Sequence, residues 1–417
     1  MTFKILSLDG GGMRGVISAR ILKDIEKTIK EKYGQELHEY FDLIAGTSTG
    51  SILAAGIACQ MTAQELINLY KEEGENIFLK KVRDQRKRPR FISKFFFTNL
   101  LYPHKSVKQG LANVLERKLI HNGLGKCPSF ADINSFSEDK KLKKLQLLIL
   151  SYDVLSRNTT WFANDDPTEW FYKNNLPLWQ ICTASASAPT FFPPYELKYS
   201  EQTSLPHIDG GVSANNPVLA AIAHALSMTS DKKPSNIGEI AVLSIGTGKT
   251  TYPYTYAEVK KWGQLGWARH LPDMFLDPDA ENSEYIAKRL FRGIDSDRQK
   301  YLRLNFEVNK SIERNIHPTK LRNHFKKTYN QYIYYKTQEK VKVCEDIDNP
   351  ETYKQLLEAA QYYLDSPELN AKDEPKNNVT HRQKIEEFIY NHPPDPKKAD
   401  LKDSNGLTTQ SKQLVTN

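Results

Sequence analysis

Cysteine is scarce and scattered. The four in this 417-residue chain, Cys59, Cys127, Cys182 and Cys344, lie far apart and form no Cys-x-x-Cys pair. A disulfide framework and a zinc knuckle are thereby excluded as organising devices, and reduced thiols in a cytoplasmic protein are expected. Long apolar runs are missing too. No stretch of about 18 apolar residues could cross a bilayer as a helix. The first residues, Met1-Thr2-Phe3-Lys4-Ile5-Leu6-Ser7-Leu8-Asp9, carry no leader pattern and go straight into a strand. No internal repeat is present, so a solenoid is not expected.

Two phosphate-binding signatures come close and fall short. Gly10, Gly12 and Gly15 fit Gly-x-Gly-x-x-Gly, but the dinucleotide fold also needs an acidic residue closing the second strand. That strand ends Ile44-Ala45-Gly46, which weakens a Rossmann site. Gly248-Lys249-Thr250 mimics the end of a phosphate loop. The first glycine of that motif should stand at 243, where the chain has Leu243, so the motif is rejected.

Charge is present but local. The net charge is +8, and Lys80–Lys94 holds eight basic residues against Asp84. Such a patch suits a surface for anions, phospholipid or nucleotide phosphates rather than a DNA or RNA polymer. The competing reading is a solvated loop. Aromatics follow it at Phe91, Phe95, Phe96, Phe97 and Tyr102. Basic and aromatic residues together suit the interface of an anionic bilayer, a lid over a site, or ordinary core.

The chain is organised around Gly46-Thr47-Ser48-Thr49-Gly50. It lies between an apolar strand, residues 41–45, and a helical pattern from Ser51 to Ala58. This is the Gly-x-Ser-x-Gly nucleophile elbow, which lifts a serine hydroxyl onto a helix N-terminus. Asp9-Gly10-Gly11-Gly12-Met13-Arg14-Gly15 likewise sits between a strand and a helix, so its amides can converge on an anion. In a parallel sheet both turns reach the carboxyl edge of the strands. A nucleophile and amide donors can meet there, as acyl transfer requires. His207-Ile208-Asp209-Gly210-Gly211 is a third signal, which taken alone reads as a plain turn.

Elsewhere the pattern predicts helices over 62–78 and 176–188 and strands over 143–155, 239–245 and 303–306. Asn215-Asn216-Pro217 reads as a helix start. Beyond residue 310 helices are expected over 318–342, 350–365 and 379–390, and the polar stretch 391–417 is expected to be disordered. The domain division is therefore 1–310, then a helical extension over 311–390, then a tail.

The glycine loop, the serine elbow and Asp209-Gly210-Gly211, in this order, resemble the patatin-like phospholipase family. Ser185-Ala186-Ser187-Ala188-Pro189-Thr190-Phe191-Phe192-Pro193 and Leu243-Ser244-Ile245-Gly246-Thr247-Gly248 also look like family sequence. The resemblance spans roughly residues 1–305. It implies an α/β fold in three layers, with a mainly parallel central sheet flanked by helices.

The resemblance further implies a serine–aspartate dyad. Ser48 would be the nucleophile and Asp209 the base. Gly10, Gly11 and Gly12 would supply the oxyanion hole, with Arg14 and Gly15 shaping its loop. Gly46, Thr47, Thr49 and Gly50 would form the elbow, and Gly210 and Gly211 the turn after the base. Chemistry alone would suggest histidine as the partner of serine, and His207 shares a strand face with Asp209. No cofactor or metal is implied, and no acidic loop here suits calcium. The implied activity is phospholipase A-type hydrolysis by a cytoplasmic protein acting peripherally at the inner membrane face. Some relatives are antiviral effectors triggered by a cyclic nucleotide, which the basic segment would suit. A homo-oligomer is left open. The competing class is a non-catalytic phosphate- or nucleotide-binding module in which Ser48 only starts a helix.

Overall fold

The computed structural model describes residues 2–87, 101–135, 145–228, 233–249, 256–292, 299–308, 335–336, 339–340, 346–369 and 375–394. Its centre is a sheet of β1 (Phe3–Leu8), β2 (Leu43–Thr47), β3 (Gln146–Asp153), β4 (Asn158–Ala163), β5 (Tyr195–Lys198), β6 (Ser204–Asp209), β7 (Ile240–Ile245) and β8 (Tyr301–Leu304). The order is β5-β6-β3-β2-β1-β7-β8, with β4 also on β3. From β3 to β8 all neighbours are parallel. The strands β4, β5 and β6 add antiparallel pairings.

The inner strands are apolar throughout because both of their faces are covered. Every residue of β1, β2 and β7 is buried. Alternate residues point to opposite faces. Phe3, Ile5, Leu43, Ala45, Ile240 and Val242 pack with the Val218–Ser227 helix, and with Ala287 and Phe291 of the Gln264–Arg292 helix. Leu6, Leu8, Ile44, Leu147, Leu243 and Ile245 pack on the other face with the helices Gly15–Tyr33, Thr49–Ala58, Ala63–Ile77 and Leu178–Ser185. This makes the three-layer α/β arrangement of sheet between helices. Local signals set the helix ends. Gly34, at φ 62°, closes the first helix by donating its amide to Lys30 O. Thr62 and Glu65 form a capping box at the start of Ala63–Ile77. Cys59, Cys127 and Cys182 are free thiols.

The C-terminal region differs from its sequence reading in three places. Helices form at Tyr353–Asp365 and His381–Asn391, joined through paired strands Pro367–Leu369 and Pro375–Thr380. Their apolar residues Leu356, Ala360, Leu364, Ile385 and Phe388 belong to the same core as the Gly15–Tyr33 helix. The helix expected over 318–342 lies mostly outside the described residues. The four described there, Tyr335–Lys336 and Glu339–Lys340, pair as short antiparallel strands instead. Of the stretch expected to be disordered from 391, residues 391–394 are described, and His392 among them is buried. Tyr40 Oη donates to His392 O at 2.7 Å, and the His392 ring packs on Phe388. Residues 395–417 lie outside the described set.

The described part of the basic segment is a helix rather than a loop. Lys80–Lys87 is a helix, and residues 88–100, with Phe91 to Phe97, lie outside the described residues. Arg83 is buried and paired with Glu75 and Glu351, both at 3.1 Å. Arg86 lies over the Phe191 ring, 4.5 Å from its centroid. Among the described residues no helix is long and apolar enough to cross a membrane.

Candidate active site

The elbow is tight for a steric reason. Ser48 sits at φ 54°, ψ −123°, a conformation costly for any residue but glycine. A Cβ on Gly46 would stand 2.3 Å from Gly50 O, and one on Gly50 would stand 2.1 Å from Leu8 O. Only glycine at both positions lets the chain turn here. Side chains then pin the turn. The Ser48 amide donates to Ser185 Oγ at 2.9 Å, and Ser185 Oγ donates to Leu150 O at 2.6 Å. Thr47 Oγ1 donates to Ala214 O at 2.8 Å, and the Thr49 hydroxyl meets Tyr70 Oη at 2.5 Å.

Sheet register brings Asp209 to this serine. One edge of β3 is shared between two strands. Leu150 pairs with Thr47 of β2, and the next residue, Ser151, pairs with Asp209 of β6. Both also pair with β4, so β2 and β6 occupy the same opposite edge. The antiparallel β6 therefore runs head-on toward the carboxyl end of β2 and stops at the elbow. Ser48 Oγ donates to Asp209 Oδ2 at 2.6 Å. The Gly211 amide donates to Asp209 Oδ1 at 2.7 Å. Gly210 has no room for a side chain, since a Cβ would lie 2.2 Å from Leu150 O. Burial pushes the Asp209 carboxyl up to about 6, against the pull of the Ser48 and Gly211 hydrogen bonds. A carboxyl near 6 is ionised at neutral pH and able to hold a proton transiently.

The glycine loop passes beside the serine. A Cβ on Gly10 would lie 3.1 Å from Ser48 Cβ. Its donors are not equivalent, and this corrects the expectation for Gly10. The Gly10 amide is already donated to Asn215 O at 3.0 Å. The Met13 amide goes to Ile347 O at 2.8 Å, the Arg14 amide to Gly11 O at 3.1 Å, and the Gly15 amide to Gly12 O and Met13 O. The amides of Gly11 and Gly12 have no acceptor among the described residues. Arg14 is buried and lines a small polar cavity with Asn215, Thr247 and Lys249. Gly15 packs on the elbow, where a Cβ would lie 2.4 Å from Thr49 Oγ1.

Several supports of the site escaped the sequence reading. Asn215 read only as part of a helix start. Asn216 performs that role, accepting from the Val218 amide at 3.1 Å, while Asn215 holds Gly10. Arg303 read only as a strand residue. It clasps Asp9, Nη1 to Oδ1 at 2.9 Å, and reaches Ser244 Oγ at 2.8 Å. Burial raises the Asp9 carboxyl, and the Arg303 guanidinium opposes that shift. Ser185 and Ser187 carry no local signal of a role in the sequence. Ser187 O accepts the Asp209 amide at 3.0 Å, and Ser185 O accepts that of Gly210 at 3.0 Å. His207 faces away from serine chemistry. Its Nε2 meets Thr160 Oγ1 at 3.0 Å, its Nδ1 meets Leu205 O at 3.1 Å, and burial lowers its basicity.

Comparison with known proteins places the chain among relatives. The family profile Patatin-like phospholipase matches residues 6–222. Patatin-like protein 1 of Arabidopsis thaliana is 31% identical over 330 residues, 72% of this chain and 73% of its own length. Patatin-like protein 4 of the same plant is 31% identical over 345 residues, covering 74% and 77%. The solved structure of VipD from Legionella pneumophila aligns over 86% of this chain and 67% of its own, at 12% identity and a TM-score of 0.35. With a matched profile that spans elbow, glycine loop and Asp-Gly-Gly turn, the chain belongs to the patatin-like phospholipase family.

Proposed function

We propose that this protein is a lipid ester hydrolase of phospholipase A type, working through Ser48 and Asp209. The observation that carries this is the 2.6 Å hydrogen bond from Ser48 Oγ to Asp209 Oδ2. A serine that merely started a helix would accept a backbone amide of the first turn. The Ser48 side chain makes no such cap, and its hydroxyl points to the carboxylate instead. This disfavours a non-catalytic phosphate-binding module.

The steps follow from the donors and acceptors. Asp209 takes the Ser48 proton as Oγ attacks the ester carbonyl. The developing oxyanion is met by the Gly11 and Gly12 amides, at the start of the following helical turn. The alcohol leaves with the proton held by Asp209, and an acyl-serine remains. Asp209 then takes a proton from water as that water attacks the acyl group, and gives it to Ser48 Oγ as the carbonyl–Oγ bond breaks and the fatty acid leaves. A serine-directed fluorophosphonate should label wild type and leave Ser48→Ala unlabelled. An unlabelled wild type would remove the proposal.

The finer parts concern surface and trigger. The phospholipid would be reached peripherally, from the cytoplasmic face, with exposed Lys80 and Lys81 among the basic residues facing anionic headgroups. Activation by a cyclic nucleotide in antiviral defence is the trigger the basic segment would suit. Vesicle co-sedimentation across a salt series tests docking. Turnover with and without cyclic nucleotide tests the trigger.

A further inference from the structure

The loop that presents Gly11 and Gly12 is gripped from far along the chain, beyond the profile-matched residues 6–222. Ile347 O accepts the Met13 amide at 2.8 Å. The same carbonyl fills the space over Gly12, where a Cβ would lie 2.4 Å from it, and Gly12 itself stands at φ 56°. Pro350 packs on Gly74, which also touches the Met13 side chain.

The residue after Ile347 is the anchor. Asp348 is 8% exposed and accepts from Tyr102 Oη at 2.8 Å. Arg86 Nε lies 3.6 Å from the same carboxylate oxygen. Arg86 also donates to Thr190 O at 2.5 Å, and the Tyr102 amide donates to Phe191 O at 2.7 Å. Thr190 and Phe191 continue the segment whose Ser185 and Ser187 hold the Ser48 and Asp209 amides. Three residues on, Glu351 pairs with buried Arg83. One short acidic strap thus holds the glycine loop at Met13 and reaches the segment that supports Ser48 and Asp209 through Tyr102 and Arg86.

We propose that Asp348 is a positioning residue for ester hydrolysis: clamped by Tyr102 and Arg86, it holds the Ile347 carbonyl on the Met13 amide and so fixes the Gly11 and Gly12 amides beside Ser48. This rests on the hydrolase function proposed above. The physical need is plain. Three consecutive glycines have wide backbone freedom, and an oxyanion hole works only when its donors are aimed before the charge develops. The Ile347 carbonyl and Asp348 Cα lie in one planar peptide unit, so a clamped Asp348 side chain narrows, through its Cα, the positions that carbonyl can take.

The test is Asp348→Ala in the full-length protein, assayed on a short soluble ester and by the rate of fluorophosphonate labelling. The kcat should fall roughly tenfold to a hundredfold, the scale of an ångström-sized misplacement, with KM within about twofold. Tyr102→Phe keeps its ring among Phe78 and Phe192 and should lower kcat less, and the double variant should be no slower than Asp348→Ala. Asp365→Asn removes a different ion pair of the same region, to Arg382, and should leave kcat unchanged. Wild-type kcat in folded Asp348→Ala overturns the proposal. If that variant does not fold, wild-type kcat in Tyr102→Phe overturns it. Equal slowing in Asp365→Asn also overturns it, because any loosening of the region would then suffice. An unlabelled wild type removes the hydrolase function itself, and is thereby distinguishable from failure of the strap alone.

Discussion

The serine elbow and the glycine loop lie side by side, yet they are held in opposite ways. The elbow is held by the sheet. Its turn joins β2 directly to a helix, and its partner Asp209 arrives at the next position along β3. The glycine loop is held by scattered contacts: Asn215 on Gly10, Thr247 against Gly11 and Ile347 on Met13. Ser48 is held in a strained conformation, φ 54°, which a sheet edge can sustain. Amide donors need only correct aim, which a flexible loop achieves when outside groups clamp it.

Changes at the elbow should therefore be all-or-none, and changes at the loop graded. The largest effect is expected from Ser48→Ala and Asp209→Ala. Each should lower ester turnover by roughly 10⁴-fold or more, and the double variant should be no worse, because the two act as one unit. Circular dichroism should show the fold intact. Near-normal turnover in folded Asp209→Ala would remove the carboxylate from the chemistry.

Gly11→Val comes next. Its Cβ would lie 2.1 Å from Thr247 Oγ1, so the loop must shift. Loss of one oxyanion donor costs about 10²- to 10³-fold in kcat, with substrate affinity changing less. A variant with unchanged kcat would mean that the oxyanion is met elsewhere.

The pH profile should show one acid limb. Asp209 must be ionised to accept the proton, and burial raises its carboxyl to about 6. Below that pH, kcat/KM should fall about tenfold per unit, and above it the rate should level off. A limb centred near 4, typical of an exposed carboxylate, would contradict the buried, hydrogen-bonded setting.

The smallest effect is expected from Ser185→Ala. It removes the acceptor of the Ser48 amide and the donor to Leu150 O. Leaving such buried groups unpaired costs about 1–3 kcal/mol, to be read as a lower melting temperature. Turnover should drop only a few-fold. A variant as dead as Ser48→Ala would place Ser185 within the reacting groups and blur the division between rigid elbow and clamped loop.

Local patterns carried the elements that build this site. Glycines at 46 and 50 around a serine, after an apolar strand and before a helix, encode the elbow because no other residue fits so close to neighbouring backbone. Continuous apolar runs encoded the parallel strands, whose two faces are both covered. What stayed hidden was long-range. Nothing near Asn215 signals that its carbonyl would take the Gly10 amide, and nothing near Arg303 signals Asp9. Within the basic segment the same holds, since Arg83 finds Glu351 from 268 residues away. Charge counted along a chain says nothing about which charges folding will pair.

By itself, then, the sequence determined where backbone can bend sharply and which strands lie buried, because sterics and burial act on neighbouring residues. Only the tertiary structure decided that Asp209 rather than His207 faces Ser48. The cause is the register of β6 on β3: it sets Asp209 opposite Ser151 at the elbow, and sets His207 two residues back, against Thr160 and Phe162. Tertiary structure likewise decided which glycine amides stay open, because Gly10 was taken by a carbonyl more than 200 residues away.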